Sequence, residues 1–241
     1  MIHLTELRDL LPGMVAFPTD VFPTDQAWLA RHLLPLLQID LGVLRPELAG
    51  QVATMLCPIE PYEGLIGEHT EDHHNEVTAT NWIAFELTAD NRMRFLGNEG
   101  YFQGDAVEDE DARAHIAQMR DSHAKARAYF QRHGTLASYS RYGNGEPGEQ
   151  AWLDTLGGQI STGNWIETTE LPPAFTLQFT AAADDWDAPD DTERAIIRRD
   201  GNKFFAVAEV AGYNWCAAGA DAIVMLYEPV SRTVLFSYDW S

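Results

Sequence analysis

The stretch Glu68-His69-Thr70-Glu71-Asp72-His73-His74-Asn75-Glu76 is the strongest chemical candidate in this chain of 241 residues. His69 and His73 stand four apart, a spacing that on a helix puts two imidazoles on one side. His74 adjoins them, and carboxylates stand close by as further ligands or as partners for the ring N–H groups. A Zn²⁺-like ion held by His69, His73 and His74 would activate water, so a metal-dependent hydrolase is the enzymatic alternative. Against it, Gly64 and Gly67 mark a loop rather than a helix, and the pattern is not H-E-x-x-H. Loop histidines among acids are ordinarily solvated. The leading expectation is therefore a protein with no cofactor and no catalytic residues.

Other chemistry is harder to place. No G-x-S-x-G elbow, phosphate loop or dinucleotide fingerprint occurs. Cys216 follows Tyr213-Asn214-Trp215, and apolar neighbours favour a neutral thiol over a nucleophile. Cys57 and Cys216 are distant in sequence and sit among apolar residues, which predicts buried, reduced thiols and a cytoplasmic setting. The N-terminal stretch carries acids and no basic region before an apolar run, so it does not read as a secretory signal.

Charge is the unusual property. Thirty-seven acids face sixteen Lys and Arg, a formal net charge of −21. Lys125 and Lys203 are the two lysines. Such a field repels nucleic acid and anionic membrane and attracts a basic protein; it also serves solubility alone. Asp184, Asp185, Trp186, Asp187, Asp190 and Asp191 form one acidic stretch, with Trp186 as a candidate anchor. Glu71 and Asp72 stand in the other, Glu60 to Glu76. These are the candidate partner-binding residues. Trp152, Trp165, Tyr213 and Trp215 also fall in loops, where aromatic residues more often cover a core edge than meet a partner.

The elements that must position these residues read as α+β. Leu36–Asp40, Gln51–Ile59, Val77–Thr88 and Arg92–Leu96 are expected strands, and Asp90-Asn91 a turn. Thr5–Leu11 reads as a short helix stopped by Pro12-Gly13, and Gln150–Leu156 as a helical turn. The clearest helix runs from Asp109 to His133. Its Ala112, Ile116, Met119, His123, Ala126 and Phe130 recur at helical spacing along one face, with acids first, bases last and Gly134 as the stop. His123 lies in that stripe and is expected to be a core histidine with a hydrogen-bond partner. Phe175–Thr180 is a strand. From Arg194 to Tyr238 an antiparallel meander is predicted, turning at Asp200-Gly201 and Glu228–Ser231. Its 221–227 strand is apolar on both alternating sets, as in a sheet covered on both faces.

Pro35-Leu36-Leu37-Gln38-Ile39 echoes Pro173-Ala174-Phe175-Thr176-Leu177-Gln178-Phe179. The expectation is a single compact domain of two pseudo-repeat halves, about 12–108 and 150–241, joined by the helix 109–133. Gly157-Gly158, Trp165, Pro172-Pro173, Phe175–Phe179 and the closing Phe236-Ser237-Tyr238-Asp239-Trp240 resemble the YwqG-like family. That resemblance implies a duplicated α+β unit of antiparallel curved sheets with the long helix between the halves. It implies a bacterial cytosolic protein and a suspected role as an immunity protein beside a toxin gene, with no catalytic residues to carry over. Gln159-Ile160-Ser161 departs from the family pattern, which usually has Pro shortly after the glycine pair, and the first half has a single Gly13 where a Gly-Gly pair would stand. The expected function is an acidic binding protein that neutralises a cognate toxin by direct contact, with no nucleic-acid or membrane partner.

Overall fold

The computed structural model describes residues 2–104, 108–139, 150–185, 187, 189 and 192–240. In chain order the elements are β1 (His3–Leu7), β2 (Met14–Ala16), β3 (Leu33–Asp40), β4 (Val52–Pro58), β5 (Trp82–Leu87), β6 (Met93–Phe95), α1 (Glu110–His133), β7 (Leu153–Gly157), α2 (Asn164–Glu167), β8 (Phe175–Phe179), β9 (Ala195–Arg199), β10 (Asn202–Lys203), β11 (Phe205–Val210), β12 (Ala222–Glu228) and β13 (Thr233–Asp239). The architecture is α+β. One seven-stranded antiparallel sheet runs β1-β7-β11-β12-β13-β5-β6, flanked by two three-stranded sheets, β2-β3-β4 and β10-β9-β8. Among the described residues no helix is long and apolar enough to cross a membrane.

Alternation along the central strands explains the layering. Successive strand side chains point to opposite faces. On β12, Ile223, Met225 and Tyr227 enter one core while Val224 and Leu226 enter another. On β13 and β5, Val234, Phe236, Ile83 and Phe85 join the first core, and Leu235, Trp82 and Ala84 the second. The first core is closed by β2–β4 and α1, through residues such as Leu37, Met55, Ile116 and Met119. The second is closed by Phe175, Ile197 and the α2 pair Trp165 and Ile166. Each fully buried side chain of this size contributes about 1.5–3 kcal/mol. The doubly apolar pattern of 221–227 thus corresponds to a sheet covered on both faces.

Three local expectations are corrected. Residues 3–7 form a strand, not a helix: β1 pairs with β7 in the register His3↔Gly157 to Leu7↔Leu153. The predicted helical turn at 150–156 is β7 itself, bonded on its other side to β11. Both windows are too short for periodicity to separate helix from strand, and backbone pairing across the chain decides. The meander also divides. Asp200 and Gly201, both at positive φ, turn β9 into β10. Phe204 is then fully buried in the second core and Phe205 buried in the first, so the chain leaves one sheet and joins the other between two adjacent rings.

The long helix matches its sequence signals. Asp109 Oδ1 accepts the Ala112 N–H at 2.8 Å as N-cap, and Gly134 at φ 72° donates to the Phe130 carbonyl at 2.8 Å. His123 Nε2 lies 3.0 Å from the Pro35 carbonyl, beside the register shift in β3. Burial pushes its pKa below the usual histidine range, against the opposing pull of the Pro35 carbonyl, with Arg127 lowering it further. A depressed histidine contributes stability above its unfolded value, and that contribution is lost as pH falls. His123→Leu leaves the Pro35 carbonyl unsatisfied and should cost about 1–3 kcal/mol in urea unfolding at pH 8. The native protein should also lose stability as pH drops below about 6.5, and the variant should lack that component; an unchanged pH slope would rule out the assignment.

Candidate ligand-binding cleft

The histidine stretch is an ordered loop wrapped around one buried tyrosine. Tyr101 is fully buried, and its hydroxyl donates to the Ala79 carbonyl at 2.9 Å. Its ring occupies the space a Cβ on residue 67 would fill, and Gly67 adopts φ 78°, so the wrap requires glycine there. Thr70 Oγ1 donates to the Tyr101 carbonyl at 2.7 Å, and Asn75 Nδ2 to the Leu96 carbonyl at 3.0 Å. Glu68 Oε2 accepts the Leu65 N–H at 2.8 Å.

Within this wrap the three histidines diverge. His74 turns inward, its Nε2 2.9 Å from the Gly67 carbonyl and its ring 5.5 Å from that of Tyr101. His73 lies against Gly100, and His69 is exposed on the rim of two separate clefts. Among the described residues no group of three or more His, Cys, Asp and Glu side chains is placed to hold a metal ion. Glu71 and Asp72 are exposed on a single 3-10 turn with His73. Asp184, Asp185 and Asp187 are exposed beyond the far end of β8, whose start is tied to the histidine loop by Ala174 N–H donating to the Glu76 carbonyl at 2.7 Å. The two acidic stretches therefore lie at opposite ends of one strand. Trp186, Asp190 and Asp191 lie outside the described residues. Trp152, Trp165 and Trp215 are buried core residues.

Three adjoining clefts open along the loop that follows β4. The widest, about 730 Å³, runs between residues 61–65 and the 213–221 segment. Tyr62, Tyr213 and Trp240 supply its rings, and Glu63 and Asp221 its carboxylates; among the described residues no Lys or Arg lines it. A second cleft of about 350 Å³ shares Tyr62 and Glu63 and extends to His69, Asp109 and Asp111. A third, about 700 Å³, lies on the other side of His69 between residues 69–73 and Gln103.

Rigid elements position these groups. His115 of α1 is buried at the base of the widest cleft, its Nε2 3.1 Å from the Ile59 carbonyl and its ring 5.6 Å from Tyr62. The opposite wall closes at its neck because Gly212 and Gly219 approach so tightly that a Cβ on either would sit about 3.0 Å from the other's backbone. The Gly212 N–H donates to the Ala220 carbonyl at 2.8 Å. Ser122 of α1 accepts the Ala217 N–H at 2.7 Å, and Ser138 donates to the Tyr213 carbonyl at 2.8 Å. Trp240 Nε1 donates to Asn81 Oδ1 at 2.8 Å, while Asn81 Nδ2 donates to the Tyr238 carbonyl at 2.6 Å. Behind the wall the two thiols, Cys57 and Cys216, are both buried and free. Burial raises Cys216 well above the usual thiol range, and the neighbouring Cys57 raises it further, so it is a neutral core thiol.

Burial also holds several carboxyls above their ordinary range. Glu60, at the base of the second cleft, is raised by burial and accepts the Gln103 and Gly104 N–H groups at 3.0 and 2.8 Å, which pull the other way. Asp154 on β7 is raised by burial while accepting from the Ala211 N–H at 2.7 Å. Glu209 on β11 is raised by burial and then by Asp154 and Asp239. Of the cleft residues, Tyr213 reads in the sequence as a loop aromatic, Tyr62 and Glu63 fall in the acidic stretch Glu60 to Glu76 and Trp240 in the closing segment, and no motif joins these to one another or to His115 and Asp221. No protein-family model, curated protein or solved structure matches the chain.

A raised carboxyl favours folding fully below its unfolded value and loses that advantage as pH rises through its folded value. Replacing Glu209 by Gln removes the buried charge facing Asp154 and Asp239. The variant should show a higher urea midpoint than the native chain at pH 7, and the gap should close towards pH of about 4.3, where an unfolded Glu is half protonated. An unchanged midpoint at pH 7 would contradict the origin given for the shift.

Proposed function

We propose that this protein is a binding protein that captures a basic partner protein by direct contact, and that it acts as a cytoplasmic immunity protein against a toxin. The observation that carries the reading is the composition of the widest cleft: among the described residues it is lined by aromatic rings and carboxylates and by no Lys or Arg. Rings supply contact area at little entropic cost, and carboxylates select for positive charge. The net charge of −21 supports the same partner class. The resemblance to the YwqG-like family supplies the immunity role and the bacterial setting.

Acidic loops contribute at two ranges. The 60–76 segment rims all three clefts, so Glu71 and Asp72 stand where a docked protein would pass. Asp184, Asp185 and Asp187 lie farther off and act through the long-range field, which raises the encounter rate without requiring contact. Trp186, Asp190 and Asp191 extend that acidic stretch in sequence. The field is screened over about 8 Å at physiological salt, so steering is the term that salt removes first.

Co-expression with the product of the adjacent gene tests the reading. A stable complex and rescue from that product's toxicity are expected. Association should slow steeply with added salt while dissociation changes little. Glu71→Gln combined with Asp72→Asn should lower the association rate several-fold. A non-toxic neighbour together with no recovered partner would defeat the proposal.

A further inference from the structure

The binding reading leaves open how an extended segment of the basic partner is held, and the following rests on that reading. β8 forms an outer edge of the sheet β10-β9-β8. Its inner side bonds β9 in the register Phe175↔Arg199 to Phe179↔Ala195. Just past its end the Thr180 N–H donates to the Arg194 carbonyl at 2.9 Å, on the β9 side. Backbone groups alternate in direction along an antiparallel strand. Thr176 and Gln178 therefore also turn to β9, while Leu177 and Phe179 turn their N–H and C=O groups away from it. Among the described residues no strand pairs with that outer side, and no group bonds those outward N–H and C=O groups. Sheet edges are ordinarily guarded by shortness, charge or a bulge. Other edge strands here follow that rule: β2 and β6 are three residues long, β10 is two with Lys203, and the β1 ladder is interrupted at Glu6, at φ 49°. By contrast, Phe175-Thr176-Leu177-Gln178-Phe179 holds no charge, Pro or Gly, and its aromatic and β-branched residues favour strand.

We infer that the outer edge of β8 is the docking site for an extended, basic segment of the partner polypeptide, which adds to the sheet as a further strand beside Leu177 and Phe179. Main-chain bonds to these two residues supply affinity, and alternate side chains supply specificity. Phe175, Leu177 and Phe179 share one face. Phe175 is buried in the second core, Leu177 is partly buried against it, and Phe179 is 45% exposed. An apolar side chain on the added strand covers Phe179, since directly opposed Cβ atoms lie about 4.5–5.5 Å apart. Charge selects a basic guest. Asp184, Asp185 and Asp187 are exposed past the end of β8; Glu170 is exposed before its start, with Glu76, whose carbonyl bonds Ala174. Asp185 Oδ1 accepts the Asp187 N–H at 3.0 Å, which orders the stretch and keeps its charge. The nearby cations are engaged within the fold. Arg194 donates to the Ala182 and Asp185 carbonyls at 2.8 and 2.7 Å, Arg199 to Thr233 Oγ1 at 2.7 Å, and Lys203 pairs with Glu193. Arg198 stands on β9, one strand in from the edge. A second copy of this chain, with its own net charge of −21, is disfavoured as the occupant by the same acids.

The test uses the full chain and fluorescently labelled short peptides of alternating lysine and valine. A second version carries N-methyl groups on its backbone amides, which keeps the charge and side chains but removes the strand donors; a third has glutamate for lysine. The lysine–valine peptide should bind, its N-methyl version roughly tenfold or more weakly, and the glutamate version not at all. On binding, hydrogen exchange at the Leu177 and Phe179 amides should slow, while Thr176 and Gln178, already bonded to β9, should change little. Phe179→Pro removes one outward N–H at an exposed position and should weaken binding roughly tenfold. Phe179→Lys should weaken it several-fold with melting temperature unchanged. Val230→Lys, which adds the same charge at the exposed β12–β13 turn, should leave binding unaltered. If Phe179→Pro does not fold, Phe179→Lys and the exchange pattern decide. Full binding by a folded Phe179→Pro protein, or no slowing at Leu177 and Phe179, overturns the inference. Equal, salt-sensitive binding of the parent and N-methyl peptides also overturns it and leaves capture of basic partners standing. Binding of none of the peptides overturns docking at this edge, and co-expression with the adjacent gene's product then decides the wider reading separately.

Discussion

The constraint on which the rest of this structure depends is that β12 and β13 are apolar on both faces. A sheet whose central strands carry Ile223, Met225 and Tyr227 on one side and Val224 and Leu226 on the other has no face to give to water. Everything that follows is cover. The β2–β4 sheet and the long helix close one side; β8–β10 and the short α2 close the other. Clefts then form where covers of different origin meet over the sheet's end, because loops leaving β4, β11 and β13 need not pack as closely as strands. The candidate site is a by-product of layering, lined in part by residues that also pack on the first core, Ala218 and Trp240, and in part by loop residues such as Tyr62 and Glu63.

Electrostatics follows the same division between inside and outside. Several of the few arginines are engaged within the fold. Arg92 reaches Asp20 at 2.6 Å, Asp90 at 3.0 Å and the Phe22 carbonyl at 2.9 Å. Arg94 bonds Asp25 at 2.8 Å, which holds that carboxyl below its ordinary range. Arg232 donates to the Leu87 and Thr88 carbonyls. Exposed pairs of this kind stabilise little individually. Each such pair neutralises one of the exposed acids locally, so the excess negative charge rests on the carboxylates that have no arginine beside them.

Legibility in the sequence tracked the length over which a pattern repeats. The helix 110–133 offers one long stripe, from Ala112 to Phe130, with both caps marked, and its ends fall within a residue of expectation. The strands 33–40, 52–58, 222–228 and 233–239 carry long apolar runs and were readable for the same reason. Residues 3–7 and 153–157 were not, because each is a strand through pairing with segments remote in sequence: 3–7 with 153–157, and 153–157 also with β11. The split of the predicted meander at Phe204 was hidden as well: Phe204-Phe205 reads as one continuous strand until the two rings are seen entering different cores. The acidic loop rims were legible as charge. The cleft was not, since its groups come from residues 62–63, 115, 213–221 and 240, and no local pattern connects them.

The order in which the central sheet assembles follows from its pairing. β13 lies between β12 and β5, and its neighbour across the chain is remote: Asn81 and Ser237 are 156 residues apart in sequence yet share a hydrogen bond. During synthesis β5 and β6 leave the ribosome long before the strand that will flank them exists, and at about 5–20 residues per second the wait lasts roughly ten seconds or more. Until then Ile83 and Phe85 have no sheet to complete. The nascent chain therefore carries an apolar strand whose partner on one side is still unmade, the kind of long-range pairing that closes slowly.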